Sequence, residues 1–352
     1  MTTMTATPLL VTGGVDTHAD VHVTAALNHL GGVLGTASFP TTPAGYRRLL
    51  AWLRSHGDLG IVGVEGTGSY GASLARHLKG AGVQVVEASR PTRQVRRRHG
   101  KTDIVDPIAA ARAVLSGEAD ATPKTHDGSV EALRSLKMLQ RSATKARTQA
   151  INQLRSLLVT APAELRERLR DMDNKTLFAT CAAFRIADDD DSVPAITRFA
   201  LGDLAQRIGH LDARRAQIRT RLERIVKAIA PQLLEISGVG PDVATTLLLT
   251  AGDNPERLKS ESSFAALCGV NPIQASSGKT NRHRLNRGGD RQANAALWRM
   301  AIVRMNSDQA TKDYIAKRVS EGKSKLEAIR CLKRYIAREV YAALPQPTPV
   351  GQ

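Results

Sequence analysis

Leu9-Leu10-Val11-Thr12-Gly13-Gly14-Val15-Asp16-Thr17-His18 opens on an apolar run and arrives at an acid. The run Leu9–Val15 reads as a buried strand, which puts Asp16 at a strand end. The pattern recurs in Ile61-Val62-Gly63-Val64, which ends on Glu65 and runs into the turn-rich Gly66-Thr67-Gly68. A third acidic stretch, Lys101-Thr102-Asp103-Ile104-Val105-Asp106, precedes the helix-favouring Ile108-Ala109-Ala110-Ala111-Arg112-Ala113. On a helix, a spacing of three places Asp103 and Asp106 on one face. Pro107 allows a plainer reading, an N-cap and a first-turn acid ahead of a helix start. Two acids from strand ends and two from one helical turn can hold a pair of divalent metals. Such a pair, about 4 Å apart, clamps the attacking and leaving oxygens of a phosphodiester.

Working outward, residues 9–125 read as α/β. Strand-like runs lie at Leu9–Val15, Val21–Leu27, Val33–Phe39, Ile61–Val64 and Val83–Glu87, with helices at Ala44–His56 and Ala72–Lys79. The tight turn Asn28–Gly32, with Gly31-Gly32, makes the first three strands an antiparallel meander. The later strand–helix alternation adds parallel strands to the same sheet. The order β-β-β-α-β-α-β-α is that of a ribonuclease-H-like domain, with Asp16 on its central first strand.

Residues 126–230 change period. Leu133, Leu136, Ala143, Ala150, Leu154 and Leu157 form one helical stripe, and Leu204, Ile208, Leu211, Ile218, Leu222 and Ile225 a second that approaches a heptad seam. These suit a helical hairpin, a dimeric coiled coil or ordinary bundle packing. Between them, Asp188-Asp189-Asp190-Asp191 reads as a solvated loop. Residues 231–320 form a third, mainly helical region, and 321–352 a basic helix followed by a Pro-rich disordered tail. In Ile236-Ser237-Gly238-Val239-Gly240-Pro241 a Gly-Val-Gly turn sits between two helices, as in a helix-hairpin-helix motif. Gly238 and Gly240 would let backbone amides approach a nucleic-acid phosphate, although a tight packing turn looks the same.

The chain has 352 residues and a formal charge of +17, a strong footprint for a polyphosphate partner. Nucleic acid is favoured because the cations cluster, as in Arg96, Arg97, Arg98 and Lys101 just ahead of the third acidic stretch. Aromatic residues make up only 3%, so stacking on exposed rings is not the main binding mode expected. Cys181, Cys268 and Cys331 lack metal or disulfide spacing and indicate a reducing compartment. No apolar run reaches membrane-spanning length and no signal pattern opens the chain, so a cytoplasmic location without membrane contact is expected.

Ser276-Ser277-Gly278-Lys279-Thr280 lacks the glycine frame of a P-loop. With Arg282, Arg284, Arg287 and Arg291 it reads as a loop whose cations can hold a scissile phosphate, with or without a serine nucleophile.

Together these motifs resemble one family. Gly14-Val15-Asp16-Thr17-His18, Val64-Glu65-Gly66-Thr67-Gly68 and Lys101–Asp106 are similar to its acidic set. Ile236–Pro241, Gly269-Val270-Asn271-Pro272, Ser277-Gly278 and Asn286-Arg287-Gly288-Gly289 are similar to its carboxyl-terminal domain. The family is the DEDD transposases of bacterial insertion sequences (the IS-one-ten family), and the resemblance runs from about residue 12 to about residue 310. It implies a RuvC-like domain whose Asp16, Glu65, Asp103 and Asp106 bind Mg²⁺ or Mn²⁺. It also implies a serine, Ser277 by its position before glycine with Ser276 as the second candidate, that attacks a DNA phosphodiester and holds the strand covalently. The implied partners are donor and target DNA, a structured non-coding guide RNA encoded by the element, and further copies of the chain. Those copies form a dimer that assembles to a tetramer on DNA, with a composite active site. The implied setting is the bacterial cytoplasm, at the nucleoid when acting. The competing readings are a RuvC-like, metal-dependent, structure-specific endonuclease without a covalent step, an actin-like or sugar-kinase ATPase, and a non-catalytic nucleic-acid-binding protein.

Overall fold

The computed structural model describes residues 9–88, 105–126, 128–185, 187, 189–254, 257–276 and 283–345. They divide into two compact units. The described residues up to Gly128, with Ala251–Ser260, form the first; Ser129–Thr250 and Glu261–Pro345 form the second.

In the first unit β1 (Leu10–Thr17), β2 (Val21–Asn28), β3 (Val33–Pro40), β4 (Asp58–Glu65) and β5 (Gln84–Ala88) form one sheet in the order β3-β2-β1-β4-β5. The pairs β1/β2 and β2/β3 are antiparallel, and β1/β4 and β4/β5 are parallel. This mixed sheet is compatible with the ribonuclease-H-like, RuvC-like layout, and the acid-bearing β1 is its centre. The Asn28 side chain accepts from the backbone N–H of Leu30 and of Gly32, at 3.0 and 2.8 Å, and so closes the first turn.

Strand alternation divides the sheet into two faces. Val11, Val15, Val62 and Val64 pack with Leu49 and Leu53 of α1 (Pro43–Ser55) and Leu74 and Leu78 of α2 (Ala72–Gly80). The opposite face carries α3 (Val105–Leu115), where Ala111 and Ile108 meet Ala25 and Leu27. Residues 251–260 return to this unit: the Asn254 amide donates to the Pro123 carbonyl at 3.1 Å and Arg257 Nε to that of Thr122 at 3.2 Å. The sequence boundaries give no hint of this return.

The second unit is built on two long helices, α4 (Ser129–Val159) and α7 (Val193–Ile229). They run antiparallel: Asp212 joins Arg147 at 2.6 Å and Arg215 at 3.0 Å, and Arg215 Nε donates to Thr144 Oγ1 at 3.2 Å. Further along, Ala150, Leu154 and Leu158 meet Leu201, Ala205 and Ile208. There α5 (Ala163–Leu169) and α6 (Asn174–Ala182) close the cluster with Leu165, Leu169, Leu177 and Cys181. Of the readings open from sequence, the chain itself realises the helical hairpin. Asp189, Asp190 and Asp191 are exposed, and Asp190 accepts from the backbone of Ser192, the N-cap of α7. The remaining elements are α8 (Pro231–Glu235), α9 (Pro241–Ala251), α10 (Glu261–Leu267), the hairpin β6 (Pro272–Gln274) and β7 (His283–Leu285), α11 (Arg291–Ser307), α12 (Gln309–Ser320) and α13 (Lys325–Ala343). Cys181 and Cys268 are buried free thiols, pushed up to about 11 and about 12 by desolvation, so both stay protonated at neutral pH.

His22 on β2 is fully buried, neither ring nitrogen has a hydrogen-bond partner, and the ring stacks on Tyr46 at 5.7 Å. Burial, with repulsion from His18, lowers its pKa from 6.5 to about 4. The unfolded chain takes the proton from about pH 6.5, whereas the folded chain resists it until about pH 4. Stability therefore falls as pH drops across that window, by roughly 3 kcal/mol. The His22→Phe variant is expected to lose much of this acid limb when denaturant unfolding is followed at pH 7 and pH 4.5. An unchanged pH dependence would show that other groups set it.

Candidate functional site

Gly14 faces α3 so closely that a Cβ there would lie 2.0 Å from the Pro107 carbonyl oxygen and 2.5 Å from the Ala111 nitrogen. A Cβ on Gly63 would lie 2.7 Å from Val114 and 3.0 Å from the Ala110 carbonyl oxygen. Helix and sheet thus touch backbone to backbone, and only glycine permits it. Asp16 and Glu65 stand two residues beyond Gly14 and Gly63, so strand alternation turns both toward the α3 face. The register pairs Val15 with Val64, which makes Asp16 and Glu65 neighbours at the carboxyl ends of parallel strands. Thr17 Oγ1 fastens the two ends together by donating to the Glu65 carbonyl at 2.9 Å. Asp106 lies in the first turn of α3, immediately before the Pro107 that rests on Gly14.

Asp16 and Glu65 are 6% and 5% exposed, so two carboxylates are buried side by side. His18 Nε2 lies 3.0 Å from Asp16 Oδ2, a partner that Asp16-Thr17-His18 contains but that residue type alone does not single out. Hard carboxylate oxygens at adjoining strand ends suit Mg²⁺ or Mn²⁺ better than a thiophilic metal. Among the described residues no three His, Cys, Asp or Glu side chains are drawn into one cluster. Asp103, the fourth acid, and the basic run Arg96, Arg97, Arg98 and Lys101 lie outside the described residues.

The second unit brings its own motifs together. A Cβ on Gly289 would lie 2.2 Å from the Gly269 nitrogen, and Gly269 has φ +64, so Gly269–Pro272 and Asn286–Gly289 meet at a glycine–glycine contact. Asn286 Nδ2 donates to Asn271 Oδ1 at 2.6 Å and to the Ala266 carbonyl at 3.1 Å. Asp290 caps α11 and accepts from Thr250 Oγ1 at 2.8 Å. These contacts anchor the β6/β7 hairpin. Ser276 is exposed beyond β6, while Ser277, Lys279 and Arg282 lie outside the described residues. Arg284, Arg287 and Arg291 line a single cavity of about 1100 Å³. Its other wall is α13, with Arg330, Lys333, Arg334 and Arg338, and Lys323 just ahead of that helix. In the sequence that helix is only a charged face; its spacing of four between Arg330, Arg334 and Arg338 is the signal that one side forms a wall. Gly238 adopts φ +83 in the turn between α8 and α9, beside the backbone of Met300, whereas Gly240 has open space around it.

Comparison with known proteins supplies the class: both family models that match the chain are of transposases. The DEDD model of IS110, described as Transposase, matches residues 13–161, and one described as Transposase IS116/IS110/IS902 family matches residues 230–316. The chain belongs to the IS110 family of transposases. It is 31% identical over 134 residues to the Insertion element IS110 uncharacterized 43.6 kDa protein of Streptomyces coelicolor, which is 38% of this chain and 32% of that relative. The match thus spans about a third of the relative's length. Among the described residues no helix is long and apolar enough to cross a membrane.

The helix–sheet contact yields a stability prediction. Gly14→Ala forces α3 off β1, at a cost of about 1–3 kcal/mol or more. Gly80→Ala, at an open position at the end of α2, is expected to be neutral or slightly stabilising. Thermal unfolding followed by circular dichroism checks both, and equal melting temperatures for the two variants would contradict the packing argument.

Proposed function

We propose that this chain is a DNA transposase, or recombinase, that excises and inserts a mobile element by metal-assisted serine attack on DNA phosphodiesters. The observation that carries the reading is the pair of buried carboxylates, Asp16 and Glu65, at adjoining strand ends facing the first turn of α3. Asp16, Glu65, Asp106 and Asp103 would hold Mg²⁺ or Mn²⁺. When bound, the ion supplies Lewis-acid neutralisation of charge on the scissile phosphate.

Ser277 is the proposed nucleophile. Its Oγ forms a bond to phosphorus as it loses its proton, the bond from phosphorus to the departing strand's oxygen breaks, and that oxygen takes up a proton. The resulting phosphoserine diester conserves the energy of the phosphodiester. A hydroxyl of the incoming strand then attacks the same phosphorus and releases serine, so no nucleotide triphosphate is needed. Arg284, Arg287 and Arg291 bind the strand and stabilise charge that develops during attack. The turn at Gly238 and Gly240 offers backbone amides to a second stretch of phosphates, in the manner of a helix-hairpin-helix. Base pairing with a structured RNA encoded by the element supplies target choice, and a dimer assembling to a tetramer on DNA builds composite active sites. The charge of +17 and the family membership support these partners.

The test is covalent capture, with the protein, Mg²⁺, RNA transcribed from the element flank and end-labelled DNA carrying the element junction. On denaturing gels a strand linked to protein is expected in wild type and in Ser276→Ala, and is expected to vanish in Ser277→Ala. Asp16→Asn and Glu65→Gln are expected to reduce cleavage to background. Free cleaved DNA, unaffected by Ser277→Ala, would replace this mechanism with that of a metal-dependent, structure-specific endonuclease.

A further inference from the structure

Lys333 of α13 is 7% exposed, yet it lines the basic cavity. Its Nζ donates to Asn294 Oδ1 at 2.8 Å and stands 5.8 Å from the centre of the Trp298 ring. Asn294 is held from behind, because its Nδ2 donates to the carbonyls of Cys268 and Gly269 at 2.9 and 3.0 Å. That fixes the amide with its oxygen toward Lys333. An ammonium has three donors, and this arrangement uses one.

No carboxylate among the described residues forms an ion pair with Lys333. Its neighbours on α13 differ: Arg334 and Arg338 both pair with Glu261. Burial and the charge of Arg330 lower the Lys333 pKa. A buried cation without a counter-charge destabilises a fold, so a lysine needed only to satisfy Asn294 is poorly explained. Arg330, Arg287 and Arg291 line the same cavity and, among the described residues, likewise form no ion pair. Glu327, held by Ser324 at the start of α13, also lines the cavity, but the cations of the wall outnumber it, so the site is complementary to an anion.

We propose that Lys333 anchors a phosphate-binding site at the floor of this cavity, completed by Arg330, Arg287 and Arg291, whose ligand is the phosphodiester backbone of a single nucleic-acid strand. The cavity, about 1100 Å³, exceeds what one inorganic phosphate fills and has the size of a ligand pocket. Its wall includes His283, which is paired across the hairpin with Gln274, so the strand would pass the open end of β6 and β7. Lys333 lies beyond residue 316, where the second family match ends. The inference deepens the strand-transfer reading and rests on it for the identity of the ligand.

The experiment measures fluorescence anisotropy of a short labelled oligodeoxynucleotide bound to the full chain, with EDTA present so that no strand chemistry contributes. A matching arm uses an oligoribonucleotide of the same sequence. Lys333→Met is expected to weaken binding about tenfold or more. It should also lower the slope of log K against log salt by about 0.7, one phosphate contact on a single strand. Its melting temperature should equal or exceed that of wild type, because an apolar side chain replaces the buried charge, while Lys333→Arg should keep the slope. The arm with the larger loss names the strand. Wild-type affinity and slope for Lys333→Met in both arms would overturn the site. If Lys333→Met does not fold, Arg330→Gln, at an exposed position, carries the same slope test, and an unchanged slope there overturns the proposal. Loss of binding here without any covalent capture would refute the strand-transfer mechanism alone, and covalent capture with unchanged binding would refute this site alone.

Discussion

In the first unit a helix lies directly on the backbone of two β-strands, a contact that only the missing side chains of Gly14 and Gly63 permit. Helices usually stand off from a sheet by the thickness of two side-chain layers. Here α3 has lost one of those layers, and Pro107 is seated on β1. The first turn of the helix, with Asp106, is therefore fixed beside Gly14, two residues before Asp16 on β1. Each acid has an independent structural reason for its position: register for two of them and the glycine contact for the third. Buried carboxylates are stabilised by nearby positive charge, and a divalent cation bound at this face would supply it.

The second unit repeats the device with different chemistry. Gly269 and Gly289 touch, the asparagines Asn271, Asn286 and Asn294 tie the strands of that contact to α10 and to α13, and a basic cavity opens beside it. One unit thus concentrates negative charge at strand ends, and the other concentrates positive charge around a pocket. The proposed strand-transfer reaction calls for both kinds of surface, one for metal and one for phosphate.

Much of the first unit is legible in the sequence because one physical signal dominates there. Val11, Val15, Val62 and Val64 belong to runs too apolar to be anything but buried, and Gly31, Gly66 and Pro107 punctuate them. The expected strands fall within a few residues of the observed ones. The role of Gly14 and Gly63 is harder to read, since a glycine in a strand can mark a bulge or a close approach, and only the partner helix decides. The second unit is less legible. A helical stripe gives the buried face but not the partner, so the pairing of α4 with α7 within one chain could not be told from a coiled coil between chains. The return of residues 251–260 to the first unit is made in part by side-chain-to-backbone bonds from Asn254 and Arg257, which leave no periodicity. Lys333 is hidden for a similar reason. In sequence it is one cation among many on α13, and only packing buries it while leaving Arg330 exposed.

The central claim is that Asp16 and Glu65, set by register and by the glycine contact, form a divalent-cation site. Equilibrium binding of Mn²⁺, followed by the electron paramagnetic resonance signal of the free ion, tests it without DNA or turnover. The account predicts bound Mn²⁺ in wild type, and its loss in Asp16→Asn and in Glu65→Gln variants that still melt like the parent. Equal Mn²⁺ binding by all three proteins would contradict it.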